Sequence, residues 1–278
     1  MEQTLDSALL IGQTPGGNRI VQAECAKAAR DLSASHLAGP AASAALAEGL
    51  VAVALLSADL GTPEEAVTLH IQCDGPLGSL LVEATYEGTL RGYPAKKILN
   101  DLDAEACGAA SASRLRDTTF GASGTATVMA SLPGKVLAQS SIRIMQTPRP
   151  ERALAAYYAE GAQREVKVSI EVALDGEGRI ATARGALIER MPDSDAAEFT
   201  SLASEISEGL TSAHPQNATT RPLRFACRCS HEKVLATLAA LPADERAALI
   251  AQDHPIDIYC HMCGKCHSFQ PAELATPC

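Results

Sequence analysis

The sequence predicts an α+β protein in three parts. A mixed sheet packed with helices occupies residues 1–192, a short linker with an amphipathic helix occupies 193–222, and a small cysteine-rich unit occupies 223–278. Three observations predict it. Stretches that alternate apolar and polar residues follow one another directly while helical stretches are grouped, unlike the regular βαβ succession of a parallel fold. An acidic, amphipathic run follows Met191-Pro192. Six of the nine cysteines fall in the last 52 residues, from Cys227 to Cys278.

The elements follow in order. Leu9–Ile11 and Ile20–Ala23 read as short strands around the turn Pro15-Gly-Gly17. Glu24–His36 reads as an Ala-rich helix, and a second helix runs from Pro40 to Leu60 with Pro at a favoured start position. That second stretch is the longest apolar run, but Ser43, Glu48, Ser57 and Asp59 interrupt it, so it is expected to be a buried core helix and not a membrane span. Val67, Leu69, Ile71 and Cys73 alternate with polar residues as in a half-buried strand. Strands are expected at Ser79–Tyr86, Thr89–Tyr93, Thr125–Leu132, Val136–Met145, Val166–Val172 and Arg179–Ile188, the last two joined at Asp175-Gly-Glu-Gly178. Pro150–Gly161 reads as a helix carrying Leu154, Tyr157 and Tyr158. Asp193–Leu210 is an amphipathic helix with Phe199, Leu202, Ala203, Ile206 and Leu210 on one stripe and acidic residues in its first turn. Thr211–Pro222, polar and containing proline, reads as a linker. Two short helices broken near Pro242 follow, too few to form a core alone.

The cysteine-rich unit carries the chemistry. Cys227-Arg-Cys229 is followed, after thirty residues, by Cys260-His-Met-Cys263-Gly. Two close thiol pairs far apart in sequence are what a tetrahedral four-thiolate zinc site requires, each pair giving two ligands from one turn. Metal binding would then supply much of the folding energy of the unit. Cys266 creates a second, overlapping pair. Cys260 with Cys263 is preferred because Gly264 follows, and glycine accepts the positive φ of a sharp turn. Cys266 is left as an accessory thiol and Cys278 as a tail thiol. Four of the seven histidines (His231, His254, His261 and His267) lie in this unit and could each replace a sulfur, although the all-cysteine set is simpler. Cys25, Cys73 and Cys107 sit singly in apolar stretches and are expected to pack as small hydrophobes.

Composition narrows the function. Hydrophobic residues make up 46% and aromatics only 3%, with no Trp, so the core must be built from Ala, Leu, Val and Ile. A formal charge of −10 argues against a nucleic-acid binder, which needs a basic face. The N-terminal residues lack the basic start of a signal peptide, and the thiols are expected to be free, so a cytoplasmic protein with no membrane partner is expected. No G-x-S-x-G, P-loop or H-E-x-x-H occurs, and Gly121-Ala-Ser-Gly124 reads as a turn, so no enzyme is expected.

The cysteine unit resembles the redox-switch domain of the heat-shock protein 33 family of bacterial holdase chaperones, through Cys227, Cys229, Cys260, Cys263 and Gly264, with Leu241-Pro242 and Ile256-Asp-Ile258 as matching flanks. Ile71-Gln-Cys-Asp-Gly-Pro-Leu-Gly78, Leu90-Arg-Gly-Tyr93 and Gly185-Ala-Leu-Ile188 through Met191-Pro192 resemble the family's core. The resemblance implies an ATP-independent chaperone that holds zinc when reduced. Oxidation would join Cys227 to Cys229 and Cys260 to Cys263, expel zinc and loosen the linker. Unfolding clients would then bind, with a possible face at Phe199, Leu202, Ile206 and Leu210, and the protein could dimerise before clients pass to ATP-dependent chaperones. The linker here, 193–222, is shorter than the family's. The alternative is a structural zinc protein, or a constitutive holdase or partner-binding module without redox gating.

Overall fold

The structure, a computed structural model, describes residues 7–106, 112–208, 213, 215–252 and 254–275. The chain opens with a hairpin, β1 (Ala8–Gln13) and β2 (Arg19–Glu24), whose turn closes through the Thr14 amide donating to the Asn18 carbonyl at 2.8 Å. Helix α1 (Ala26–His36) follows, and α2 (Pro40–Leu56) runs on into a 3-10 turn at Ser57–Asp59. Next come β3 (Ala66–Cys73), β4 (Ser79–Thr85) and β5 (Thr89–Pro94), helices α3 (Asn100–Ala106) and α4 (Ala112–Phe120), and the hairpin β6 (Gly124–Leu132) and β7 (Lys135–Ile144). Helix α5 (Pro150–Ala156) ends in a π turn at Tyr157–Gly161 and leads to the hairpin β8 (Val166–Leu174) and β9 (Ile180–Glu189). Then come α6 (Ala196–Glu208), β10 (Gln216–Pro222) and β11 (Arg224–Phe225). The cysteine unit holds α7 (His231–Ala239), α8 (Ala243–Ile250), the hairpin β12 (Ile256–Tyr259) and β13 (Cys266–Phe269), and α9 (Pro271–Ala275).

The fold is α+β, with the strands of the main body divided between two sheets. One has the order β10-β1-β2-β9-β8, the other β11-β5-β4-β3-β6-β7. Their pairings are antiparallel except for β11 against β5, which makes the second sheet mixed. Helix α2 packs against strands of both sheets and is buried on every side from Ala41 to Leu56. Its segment Pro40–Asp59 is long and apolar enough to cross a membrane, but 94% of that window is buried inside the protein. Small residues let the layers approach closely. A Cβ at Gly49 would meet Leu80 Cδ2 at 2.8 Å, and one at Gly185 would meet Val51 Cγ1 at 2.5 Å. The one carboxylate within α2, Glu48, is fully buried and is neutralised by Arg149 and Arg116 at 3.1 Å each.

The outer face of the first sheet is covered by α6. Phe199, Leu202 and Ile206 pack on Ile20, Ala186 and Ile188 in a cluster separate from the main core. A third cluster, Leu238, Ile256, Phe269 and Leu274, is the small core of the cysteine unit.

Two stretches take a form other than the one the sequence pattern gives, and α3, α4, β11, the β12–β13 hairpin and α9 have no counterpart in that pattern. The polar stretch 211–222, expected as linker, contains β10, which pairs antiparallel with β1 from Ala8 opposite Pro222 to Gln13 opposite Gln216. It is an edge strand with nearly every side chain exposed. Its pairing is carried by backbone hydrogen bonds, so no apolar alternation marks it. Glu24, read as the start of α1, belongs to β2. Of the single cysteines, Cys25 is fully buried and Cys73 half-buried, whereas Cys107 lies outside the described residues, as does Cys278.

Candidate metal centre

Two knuckles build the site. The first follows β11. Leu223 is buried in the main core and fixes where the chain leaves β10; Arg224 and Phe225 then run parallel to Thr89 and Leu90 of β5. Cys227 and Cys229 lie in the irregular stretch that follows. Ser230 ends the knuckle by capping α7, its hydroxyl accepting from the Lys233 amide at 3.2 Å. The second knuckle is the loop of the β12–β13 hairpin. The Cys260 amide donates to the Lys265 carbonyl at 2.9 Å, and the Gly264 amide returns to the Cys260 carbonyl at 2.8 Å. Gly264 has φ +73, the positive value expected from its place after the second cysteine.

These turns bring the sulfurs of Cys227, Cys229, Cys260 and Cys263 within 4.8 Å of one another. Cys227 Sγ lies 3.8 Å from Cys260 Sγ, and Cys229 Sγ lies 3.5 Å from Cys263 Sγ. Four ligands at about 2.3 Å from a tetrahedral ion stand about 3.8 Å apart, so the donor set fits zinc in both chemistry and spacing. Cys263 is buried and the other three are half-buried. Cys266 stands outside the group, exposed on β13 opposite Tyr259. None of the unit's histidines belongs to the described cluster. His231 stacks on Phe269, His261 meets Tyr93 edge-on, His254 bonds the Pro255 carbonyl, and His267 is buried in the small unit.

The electrostatics involve the main body as much as the unit itself. Among the thiols on their own, burial pushes Cys227 up, but the Cys229 amide and the Arg91 guanidinium outweigh it and bring Cys227 down to about 7. Burial holds Cys229 and Cys263 above the ordinary thiol value. Arg91 Nη1 donates to Cys227 Sγ at 3.7 Å while its Nε and Nη2 fork onto Glu83 at 2.8 and 2.9 Å. Arg91 lies 136 residues before Cys227 and nothing in the local cysteine pattern pointed to it. Of the tail cations adjacent to the knuckles, Arg228 reaches across to Glu83 at 2.6 Å, and Lys233 donates to the Arg228 carbonyl.

The unit is seated on β5 and the end of α1. The Gly92 amide donates to the Met262 carbonyl at 3.1 Å, and the Ser35 hydroxyl donates to the Cys263 carbonyl. A Cβ at Gly264 would strike the Ser35 carbonyl oxygen at 2.3 Å, so only glycine allows this approach.

Among the residues suggested for client binding, Phe199, Leu202 and Ile206 are on the face of α6 that is buried against the first sheet, and Leu210 lies outside the described residues. The turn at Gly121–Gly124 is tied to Asp74, whose carboxylate accepts from the Ser123 hydroxyl and from the Ala122 and Ser123 amides.

Comparison with known proteins gives a consistent picture. The model of the Hsp33 protein family matches residues 13–270. Relatives named 33 kDa chaperonin include one from Thermus thermophilus, 29% identical over 93% of this chain and 82% of its own. Another, from Lacticaseibacillus paracasei, is 28% identical over 92% of each. A solved structure of the 33 kDa chaperonin of Thermotoga maritima superposes with a TM-score of 0.81, covering 97% of both chains at 18% identity, a likeness of fold.

Proposed function

This chain belongs to the Hsp33 family, and from that membership we propose that it is an ATP-independent holdase chaperone, one that binds unfolding or oxidatively damaged proteins and is gated by its cysteine cluster. The observation that carries the gating is the convergence of four sulfurs from two knuckles thirty residues apart. In this reading residues 1–192 form the client-binding core, 193–222 the connecting segment and 223–278 the switch. Cys227, Cys229, Cys260 and Cys263 hold Zn2+, which when bound keeps the sulfurs as thiolates and staples the small unit together.

Thiolate is the form that peroxide attacks. Cys227 and Cys229 give two electrons to one hydrogen peroxide. The O–O bond breaks, an S–S bond forms, and two waters leave after taking up two protons. Cys260 and Cys263 do the same with a second peroxide. Sulfurs joined as disulfides no longer serve as thiolate ligands, so the knuckles part with loss of the metal. The small cluster around Leu238 and Phe269 is too slight to stay folded on its own. Cys266, exposed and outside the cluster, is available as an accessory thiol. The free thiols suit a reducing cytoplasm, dimerisation can accompany activation, and clients pass onward to ATP-dependent chaperones.

Zinc stoichiometry and suppression of client aggregation, measured on one sample before and after peroxide, test this. Release of one zinc per chain with a gain in suppression is expected. Zinc retained, or zinc lost with suppression unchanged, would leave a structural zinc site or a constitutive holdase.

A further inference from the structure

The backbone edge of β5 is covered by residues beside or within the cysteine knuckles, except at the Gly92 carbonyl, which His36 Nε2 of α1 meets at 2.8 Å. The Gly88 carbonyl accepts from the Arg224 amide at 3.0 Å, the Leu90 carbonyl accepts from the Ala226 amide at 3.2 Å, and the Gly92 amide donates to the Met262 carbonyl at 3.1 Å. These three outward-facing groups sit at alternate positions of one sheet edge, and each is satisfied by a residue that lies beside a knuckle or within it. Phe225, at the centre of the short pairing, packs its ring against the main core. The pairing with β11 is only two residues long; Leu223 in the main core anchors it on one side and the knuckle at Cys227 on the other.

We propose that the edge of β5, with the apolar seat now filled by Phe225, is a client-binding site that the cysteine unit covers. Its occupant after opening is an extended segment of an unfolding protein, added as a parallel strand in place of Arg224–Ala226 and carrying an aromatic or large apolar residue at the Phe225 position. This rests on the reading that loss of the thiolate cluster releases the unit. The chemistry is that of strand addition. Main-chain hydrogen bonds provide sequence-tolerant affinity, and a pocket for one side chain selects for the exposed apolar residues of an unfolded chain. A sheet edge stripped of its partner is a template for such pairing, and covering it in the resting state prevents adventitious association. The closed structure displays the binding mode, because residues 224–226 already adopt it.

The test uses the full chain in three states: reduced and zinc-loaded, peroxide-treated, and carrying Cys260→Ser with Cys263→Ser, which lacks the cluster whether or not peroxide opens the native protein. The probe is a fluorescein-labelled peptide copying residues 221–226, followed by fluorescence anisotropy. Two control peptides accompany it. One is N-methylated at the Arg224 and Ala226 positions, which removes the two amide donors; the other has Phe225→Ala. Expected are binding to the opened states, at least about tenfold weaker binding to the reduced state, and at least about tenfold weaker binding of the N-methylated peptide. Displacement of the probe by an excess of a permanently unfolded, carboxymethylated protein is also expected.

Equal binding of the N-methylated peptide would overturn the proposal, as would failure of the unfolded protein to compete. Equal binding to the reduced state would point instead to the other edge of the same sheet, β7, whose Val136 and Leu137 are already exposed. Dimer formation in the opened states that excludes both probe and client would assign the edge to residues 224–226 of a second copy and likewise overturn it. If the serine variant binds the probe as expected but peroxide neither releases zinc nor raises binding, the client edge stands and the redox reading falls. If peroxide activates the protein yet no N-methyl-sensitive binding appears in either opened state, the redox reading stands and the edge proposal falls.

Discussion

Arg91 shows how a single side chain from the main body enters the four-cysteine cluster. Its guanidinium is oriented by the two-point contact of Nε and Nη2 with Glu83, which turns Nη1 toward Cys227 Sγ. A hydrogen bond to a ligand from outside the ligand set typically affects metal affinity by about 10- to 100-fold. Arg91→Ala is therefore expected to weaken zinc binding by about tenfold or more in a competition with a chromophoric chelator, with Arg91→Lys intermediate because a point charge cannot fork onto Glu83. Unchanged affinity in both variants would make Arg91 a surface pairing only. The four cysteines and Gly264 were legible in the sequence because their spacing is local. Arg91 was not, because its contact with Cys227 exists only once β5 and the first knuckle are brought side by side.

At the scale of elements, the ties between neighbouring segments are ionic where the core leaves polar gaps. Asp59, in the 3-10 turn after α2, and Glu189, at the end of β9, share Arg19 of β2 and Arg164, with Tyr158 donating to Asp59 at 2.8 Å. Burial pushes both carboxyls up, but the arginines outweigh it and hold both below their usual range. A carboxyl depressed in the folded state contributes stability that is complete above its unfolded value, about 4, and is lost as pH falls through the folded value. The urea midpoint of the native protein is accordingly expected to drop steeply below pH 4. Asp59→Asn should lower stability near pH 7 by about 1–2 kcal/mol and flatten that acid slope. Parallel curves for the two proteins between pH 3 and 6 would contradict the assignment. Helix α2 makes the complementary point. Its long apolar sequence, interrupted by Ser43 and Glu48, was readable as a buried helix, but its burial between two sheets depends on strands contributed from both halves of the chain.

For the whole molecule, the cysteine cluster and the main core hold different parts together. The main core joins α2 to both sheets without help from the four clustered cysteines, whereas the cysteine unit has a cluster of four buried side chains and its thiols. Removal of zinc from the reduced protein by a chelator is expected to abolish hydrogen-exchange protection in α7, α8 and the β12–β13 hairpin while leaving α2 and β3 protected. The Gly92 amide, whose acceptor is the Met262 carbonyl, should lose protection together with the hairpin. Retained protection throughout the unit would show that its own packing suffices without metal.

By itself the sequence determined the α+β class, most strands and helices, the four converging cysteines with their turn glycine, and the resemblance to the heat-shock protein 33 family. All of these are written in local periodicity or in short spacings, which report the chain's immediate environment. Only the tertiary structure decided that the strands divide into two sheets around α2, and that a polar stretch expected as linker becomes the edge strand β10. It also decided that one strand, β5, supports both knuckles of the metal centre. Those features rest on backbone hydrogen bonds and close approach between segments far apart in sequence. The groups that make them are present in nearly every residue, so no residue pattern distinguishes them before the chain is folded.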